Sequence, residues 1–356
     1  MSAKKYGRRA RVRRQRQGLA TVFVLLVAVS FVALHNHFSS TPTTSSTLAP
    51  IATTSTTSPT STTAVGTITL HLSEPASASE PERVLDTTVR YPAIGSPGGS
   101  PIAGAAPLHN AGPYPLVVFS QGFGVAPQNY AHLLNAWAAA GYVVADPAYP
   151  FTSPNSPGGL RRTDIVHHPA DLSFVVTSLL DASAQTSGAL SGLINSAEVG
   201  LIGHSDGGDV TLALAANACC RDSRIKAAII LSGAELAWFN GTYFAPPAVP
   251  MLVVQGSADE NMNPVACSVE LYNAAHQPKY YLSMIGQTHF SAYLPPGPAL
   301  QVVKRVTIDF LNAYLRGAPS SLANAAVAGT VPGLATFTSA SSLAPVAGSC
   351  PGAPAG

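Results

Sequence analysis

Charge is scarce in this 356-residue chain: Asp, Glu, Lys and Arg make up 10% of it, against 46% hydrophobic residues. Much of the positive charge is confined to "KKYGRRARVRRQR", residues 4–16. The remainder is mildly acidic, which excludes a basic nucleic-acid face on the main body. A phosphate-cradling Gly-rich loop with its lysine is missing, and so are Cys-x-x-Cys and His-Glu-x-x-His. Neither a cofactor nor a metal is therefore expected. No internal repeat is visible, so a solenoid or propeller is set aside.

What is present begins at the N-terminus. Behind the basic segment 1–17 comes "GLATVFVLLVAVSFVAL", about seventeen uncharged residues. That is near the lower limit for a spanning helix and slightly long for a signal-peptide core. Arginines before it keep the N-terminus cytoplasmic, so the rest of the chain is exported. The following "HNHFSS" offers no small-x-small cleavage site. The reading favours an uncleaved membrane anchor over 18–38, with secretion after signal-peptide cleavage as the alternative. Residues 39–65, rich in Ser, Thr and Pro, bury too little apolar area to offset ordering entropy and read as a disordered stalk. A catalytic domain is expected over 66–317, and an Ala/Ser/Pro/Gly-rich low-complexity tail over 318–356.

Only four cysteines occur. In an exported chain they suggest disulfides with three possible connectivities. Cys219 and Cys220 should end one helix and Cys267 should start another across the sheet, which disfavours a bond between them. Cys350 in the tail can reach either group.

Within the main domain, short apolar strands alternate with helices. "RVLDTTVRY", "PLVVFSQG", "YVVADP", "EVGLIG", "IKAAIILSG", "PMLVVQG" and "KYYLSMIG" read as strands. Helices are expected over about 129–140, 171–180, 207–218, 265–275 and 300–314. This order predicts an α/β fold, a mostly parallel sheet with helices on both faces. Sites in such sheets form at the carboxyl ends of the strands.

"LIGHSDGGDV" places Ser205 where one strand turns sharply into a helix. Glycines at 203 and 207 remove side chains that would collide there, and the helix N-terminus favours developing negative charge. A serine nucleophile needs a base, and the base an orienting carboxylate. His289, after "KYYLSMIG", and Asp259, after "PMLVVQ", occupy carboxyl-end loops, so nucleophile, acid and base follow in the chain order Ser, Asp, His. Rival histidines fit less well: His204 should point away, His276 sits late in a helix, and His167 and His168 open one. The rival acid is Glu235, just after "IILSG". Oxyanion donors are expected from the backbone N–H groups of Asp206 and Phe123. The carboxylate of Asp206 opens a helix, and near the acyl pocket it would also disfavour esters with an acyl-side carboxylate.

Over about residues 83–316 these motifs resemble the α/β-hydrolases of the dienelactone hydrolase, cutinase-like polyester hydrolase and platelet-activating-factor acetylhydrolase group. "VRYPA", "GPYPLVVFSQGFG", "GHSDGG", "GSADENMNP" and "GQTHF" carry the resemblance. It implies an α/β-hydrolase fold and a serine carboxylic ester hydrolase. Three residues depart from the group: Gln121 replaces a usual histidine, Asp206 stands where polyester hydrolases carry methionine, and Trp238 lies later than their cleft tryptophan. Only about sixteen residues separate "IILSG" from the next strand, too few for a large lid domain. We expect a monomer acting on a small-molecule, lipid or polymer ester, with no nucleic-acid partner and the membrane met through the anchor. Alternatives are a thioesterase, acyltransferase, peptidase, lipase or polyesterase built from the same parts, or a non-catalytic cell-surface binding protein.

Overall fold

Runs of Val, Ile, Leu and Ala closed by glycine or a polar turn become the buried strands of a ten-stranded sheet. The computed structural model describes residues 62–76, 81–348 and 350. The basic segment, the apolar segment and the stalk up to residue 61 lie outside the described residues. Among the described residues, no helix is long and apolar enough to cross a membrane.

The elements follow as β1 (Ala64–Glu74), β2 (Arg83–Ala93), β3 (Ile102–Ala103), β4 (Tyr114–Ser120), α1 (Ala131–Ala139), β5 (Val143–Pro147) and α2 (His168–Ala184). Then come β6 (Ile194–His204), α3 (Asp206–Ala216), β7 (Ile225–Leu231), β8 (Met251–Gly256), α4 (Val265–Ala274), β9 (Lys279–Met284), α5 (Pro298–Leu315), α6 (Ser321–Ala328) and β10 (Ala335–Thr338). Spatial order is β10-β9-β8-β7-β6-β4-β5-β2-β1-β3. The six strands from β9 to β5 are mutually parallel, and β2, β1 and β10 add antiparallel margins.

Both faces of β4 are covered, which is why it reads as an unbroken apolar run. Val117 and Phe119 pack with Leu133, Trp137 and Phe310 of α1 and α5. Leu116 and Val118 face Leu172, Val176 and Leu214 of α2 and α3. The period-two alternation of a strand sends successive side chains to opposite layers. Between β7 and β8 the chain crosses residues 232–250 without a helix, in keeping with the absence of a lid domain.

Two boundaries are corrected. β1 starts at Ala64, two residues inside the segment assigned to the stalk, and pairs along its whole length with β2. The domain does not end at residue 317: α6 leads into β10, which pairs Ala335 with Met284 and extends the sheet. Beyond it, Leu343 N–H donates to Asn273 Oδ1 at 2.7 Å, and Tyr272 donates to the Ala340 carbonyl at 2.6 Å. Small residues let this stretch lie flat on α4, so hydropathy gives no periodic signal for it. The cysteines pair as Cys219–Cys220 and Cys267–Cys350, and the second bond ties the tail to the start of α4.

A charge cluster beneath the sheet edge fixes the loop that follows β5. Arg83 of β2 donates Nε and Nη2 to Asp171 of α2, at 2.6 and 2.7 Å, and Nη1 and Nη2 to Asp164, at 2.9 and 2.8 Å. All three are buried. The guanidinium and His168 hold Asp164 below the usual carboxylate range despite its burial. For Asp171 desolvation wins, and its carboxyl is pushed up to about 7. Removing one member of such a group strands the others without a counter-charge, at a cost of about 3–5 kcal/mol. Arg83→Ala should therefore lower the urea midpoint by that equivalent; an unchanged midpoint would show that the cluster does not brace residues 162–168 against β2.

Candidate active site

β6 ends at His204 and α3 begins at Asp206, which leaves Ser205 alone in the turn at φ 57°, ψ −128°. A non-glycine residue at positive φ is strained, and surrounding structure must hold it there. A Cβ on Gly203 would overlap the Gly207 carbonyl, and one on Gly207 would overlap that of Ser120. Both glycines are thus required by the close approach of β6, α3 and β4. Ser205 N–H donates to the Leu231 carbonyl at 2.9 Å, and the Ser205 carbonyl accepts from Gly208 N–H at 2.7 Å.

The loop after β4 lies against this turn: a Cβ on Gly122 would stand 3.1 Å from that of Ser205. Gly122 N–H donates to Tyr130 Oη at 3.3 Å, and Gly124 N–H to the Thr152 carbonyl at 2.8 Å. Among the described residues neither the Phe123 N–H nor the Asp206 N–H has an acceptor. Both are free to bind an oxyanion.

His289 Nδ1 donates to Asp259 Oδ2 at 2.5 Å, and both side chains are buried. Gln255 Nε2 donates to the same oxygen at 3.3 Å. The loops after β8 and β9 interlock: Ala258 N–H donates to the Gln287 carbonyl at 2.9 Å, and Gly256 has no room for a Cβ beside that carbonyl. His289 Nε2 is buried without a hydrogen-bond partner among the described residues.

His204 ties these loops together. Its Nε2 lies 2.8 Å from the His289 carbonyl, which can only accept, so Nε2 carries the proton. Nδ1 then accepts from Tyr130 Oη at 2.8 Å, and that hydroxyl accepts from Gly122 N–H. Burial lowers the imidazole to about 3, with His289 adding to the effect. His204 is therefore a neutral strut engaged through both ring nitrogens.

The rivals lie elsewhere. Glu235, His276, Tyr243 and Phe244 line a separate cavity of about 420 Å³. Burial pushes Glu235 up to about 7, and Glu270 adds to the shift. His276 sits just past α4 rather than within it. His168 opens α2 and stacks on Tyr149 at 3.7 Å. Its neighbour His167 precedes that helix.

One residue beyond the sequence reading, Arg162, completes the rim. Arg162 donates Nε and Nη2 to the two carboxylate oxygens of Asp206, at 2.8 and 2.6 Å. The guanidinium carbon stands 5.4 Å from the centre of the Trp238 ring. Asp206 is thus not the lone negative charge on which the expected bias against anionic esters rested. No local signal finds Arg162, because 44 residues separate the partners.

Among known proteins, the sequence model of the Chlorophyllase family matches residues 86–233. That span includes Phe123, Ser205 and Asp206 and stops before Asp259 and His289. Among solved structures, the ferulic acid esterase from Streptomyces cinnamoneus superposes with a TM-score of 0.53 at 23% identity, over 71% of this chain and 91% of that one. At that identity the likeness is one of fold. No curated protein matches the chain.

The strut has two measurable consequences. Tyr130→Phe leaves the Gly122 N–H and His204 Nδ1 without a buried partner, at about 1–3 kcal/mol for each group. It should lower the urea midpoint and reduce kcat several-fold; wild-type values for both would show that the chain of bonds is dispensable. As pH falls below about 6.5, the unfolded chain takes up a proton on His204 that the folded chain excludes until about 3. The contribution of His204 is therefore complete above that window and lost on descending through it. His204→Gln should flatten the decline in unfolding free energy between pH 7 and 4, and an unaltered slope would assign the titration to another group.

Proposed function

We propose that this chain, a member of the α/β-hydrolase superfamily by fold and family match, is an exported serine hydrolase of carboxylic esters. The observation that carries the reading is a buried Asp259–His289 pair whose Nε2 is free, held through His204 one residue from the strained Ser205. Ser205 Oγ attacks the ester carbonyl and His289 Nε2 takes its proton. Asp259 keeps the other ring nitrogen protonated and stabilises the imidazolium that forms. Charge on the tetrahedral oxygen is met by the Phe123 and Asp206 N–H groups, aided by the N-terminus of α3. Collapse expels the alcohol, which receives the proton from His289. Water, activated by the same imidazole, then releases the acid from Ser205.

Two kinds of observation support the reading from outside the site. The matching family model is that of Chlorophyllase, a hydrolase family, and the superposed structure is a ferulic acid esterase. Both disulfides suit an oxidising compartment, in keeping with export behind the apolar N-terminal segment. The segment crossing from β7 to β8 has no helical lid, so the substrate would enter from an open edge.

Ser205→Ala and His289→Ala should each lower kcat by about 10⁴ with the melting temperature little changed. Ser205→Ala should also abolish labelling by a fluorophosphonate probe. Asp259→Asn should be severe and Glu235→Gln mild. Labelling that survives Ser205→Ala, or a larger loss in Glu235→Gln than in Asp259→Asn, would overturn these assignments.

A further inference from the structure

The residue whose N–H is assigned to the oxyanion also carries a carboxylate. Asp206 opens α3 directly after Ser205, and its side chain is only 8% exposed. One turn on, Asp209 is buried, its Oδ1 accepting the Ala234 N–H at 2.6 Å. Two acidic side chains thus stand in the helical turn that must welcome negative charge during acylation. At an effective dielectric near 20, an uncompensated unit charge about 6–8 Å from a developing oxyanion slows its formation roughly 30- to 100-fold.

Arg162 is placed to cancel that effect. Its forked pair of bonds occupies both oxygens of Asp206, and forked Arg–carboxylate geometry fixes orientation as well as charge. The Arg83–Asp164 bonds anchor the segment that carries it from below. From the side, the ring of the exposed Trp238 flanks the guanidinium. The Arg162 side chain itself is 47% exposed. The pair is thus half open on the arginine side and closed on the carboxylate side, and it compensates a nearly buried charge directly beside the N–H groups assigned to the oxyanion.

We propose that Arg162 is a positioning residue that acts through Asp206, neutralising the carboxylate beside the oxyanion hole so that neither the oxyanion nor an anionic ester is repelled. The proposal rests on the serine-hydrolase reading above. It reverses the simplest expectation from "GHSDGG": the wild-type site should not discriminate against esters with an acyl-side carboxylate.

The test compares the full-length chain with Arg162→Gln, Arg162→Lys and the double variant Arg162→Gln/Asp206→Asn. Each is assayed at low salt on a matched neutral and anionic ester pair. Arg162→Gln should lose about tenfold or more in kcat on the neutral ester, with KM changed less than about threefold. It should lose several-fold more on the anionic ester, and added salt should narrow that gap. Arg162→Lys should keep the wild-type ratio between the two esters. The double variant should regain most of the kcat lost in Arg162→Gln and erase the discrimination. A double variant no better than Arg162→Gln, or an Arg162→Gln enzyme with wild-type ratio and kcat, would overturn the proposal. Fluorophosphonate labelling separates the two levels: a wild-type chain that neither labels nor cleaves esters refutes the serine-hydrolase reading itself. A labelled wild type with the wrong variant pattern refutes only the role of Arg162.

Discussion

Ser205 holds a backbone conformation that a free serine would leave, and it is kept there because β4, β6 and α3 approach one another without intervening side chains. Gly203 and Gly207 make that approach possible. Each element also brings a group to the turn: β6 leads to the Ser205 hydroxyl, α3 presents its N-terminus, and the loop after β4 carries the unpaired Phe123 N–H. Strain at one residue is thereby distributed over a buried sheet whose central strands are fully covered on both faces.

The neutral imidazole of His204 gives this turn its connection to His289. Through Tyr130 it meets the loop that holds Phe123, and through the His289 carbonyl it meets the loop after β9. Because burial keeps the ring uncharged, it spans the two loops without altering the charge balance around His289. Asp259 and His289 remain hydrogen-bonded to each other, with Gln255 Nε2 on the same carboxylate oxygen.

Paired charges perform the supporting work at the edge of the sheet. Arg83 clamps Asp164 and Asp171, Arg90 pairs with the buried Asp146, and Arg162 meets Asp206 at the rim. Two of these clusters converge on one short segment, since Asp164 and Arg162 both belong to residues 162–167. The Arg83 clamp thus grips the same segment that carries the rim guanidinium.

Much of this was legible in the residues alone. Apolar runs ended by glycine located β4 and β6 to β9, and strand-end loops brought Ser205, Asp259 and His289 to one side. Those features are local, set by periodicity and turn chemistry within a few residues. β1 and the chain after residue 317 escaped, because half-exposed alternation and small-residue packing acquire meaning only against β2, α4 and β9. The disulfide partners and the tautomer of His204 were decided by distances between segments far apart in the chain. So was the pairing of Arg162 with Asp206. Order along the chain determined which groups could meet, while the packing of loops at the sheet edge decided which charges were cancelled and which nitrogen stayed free.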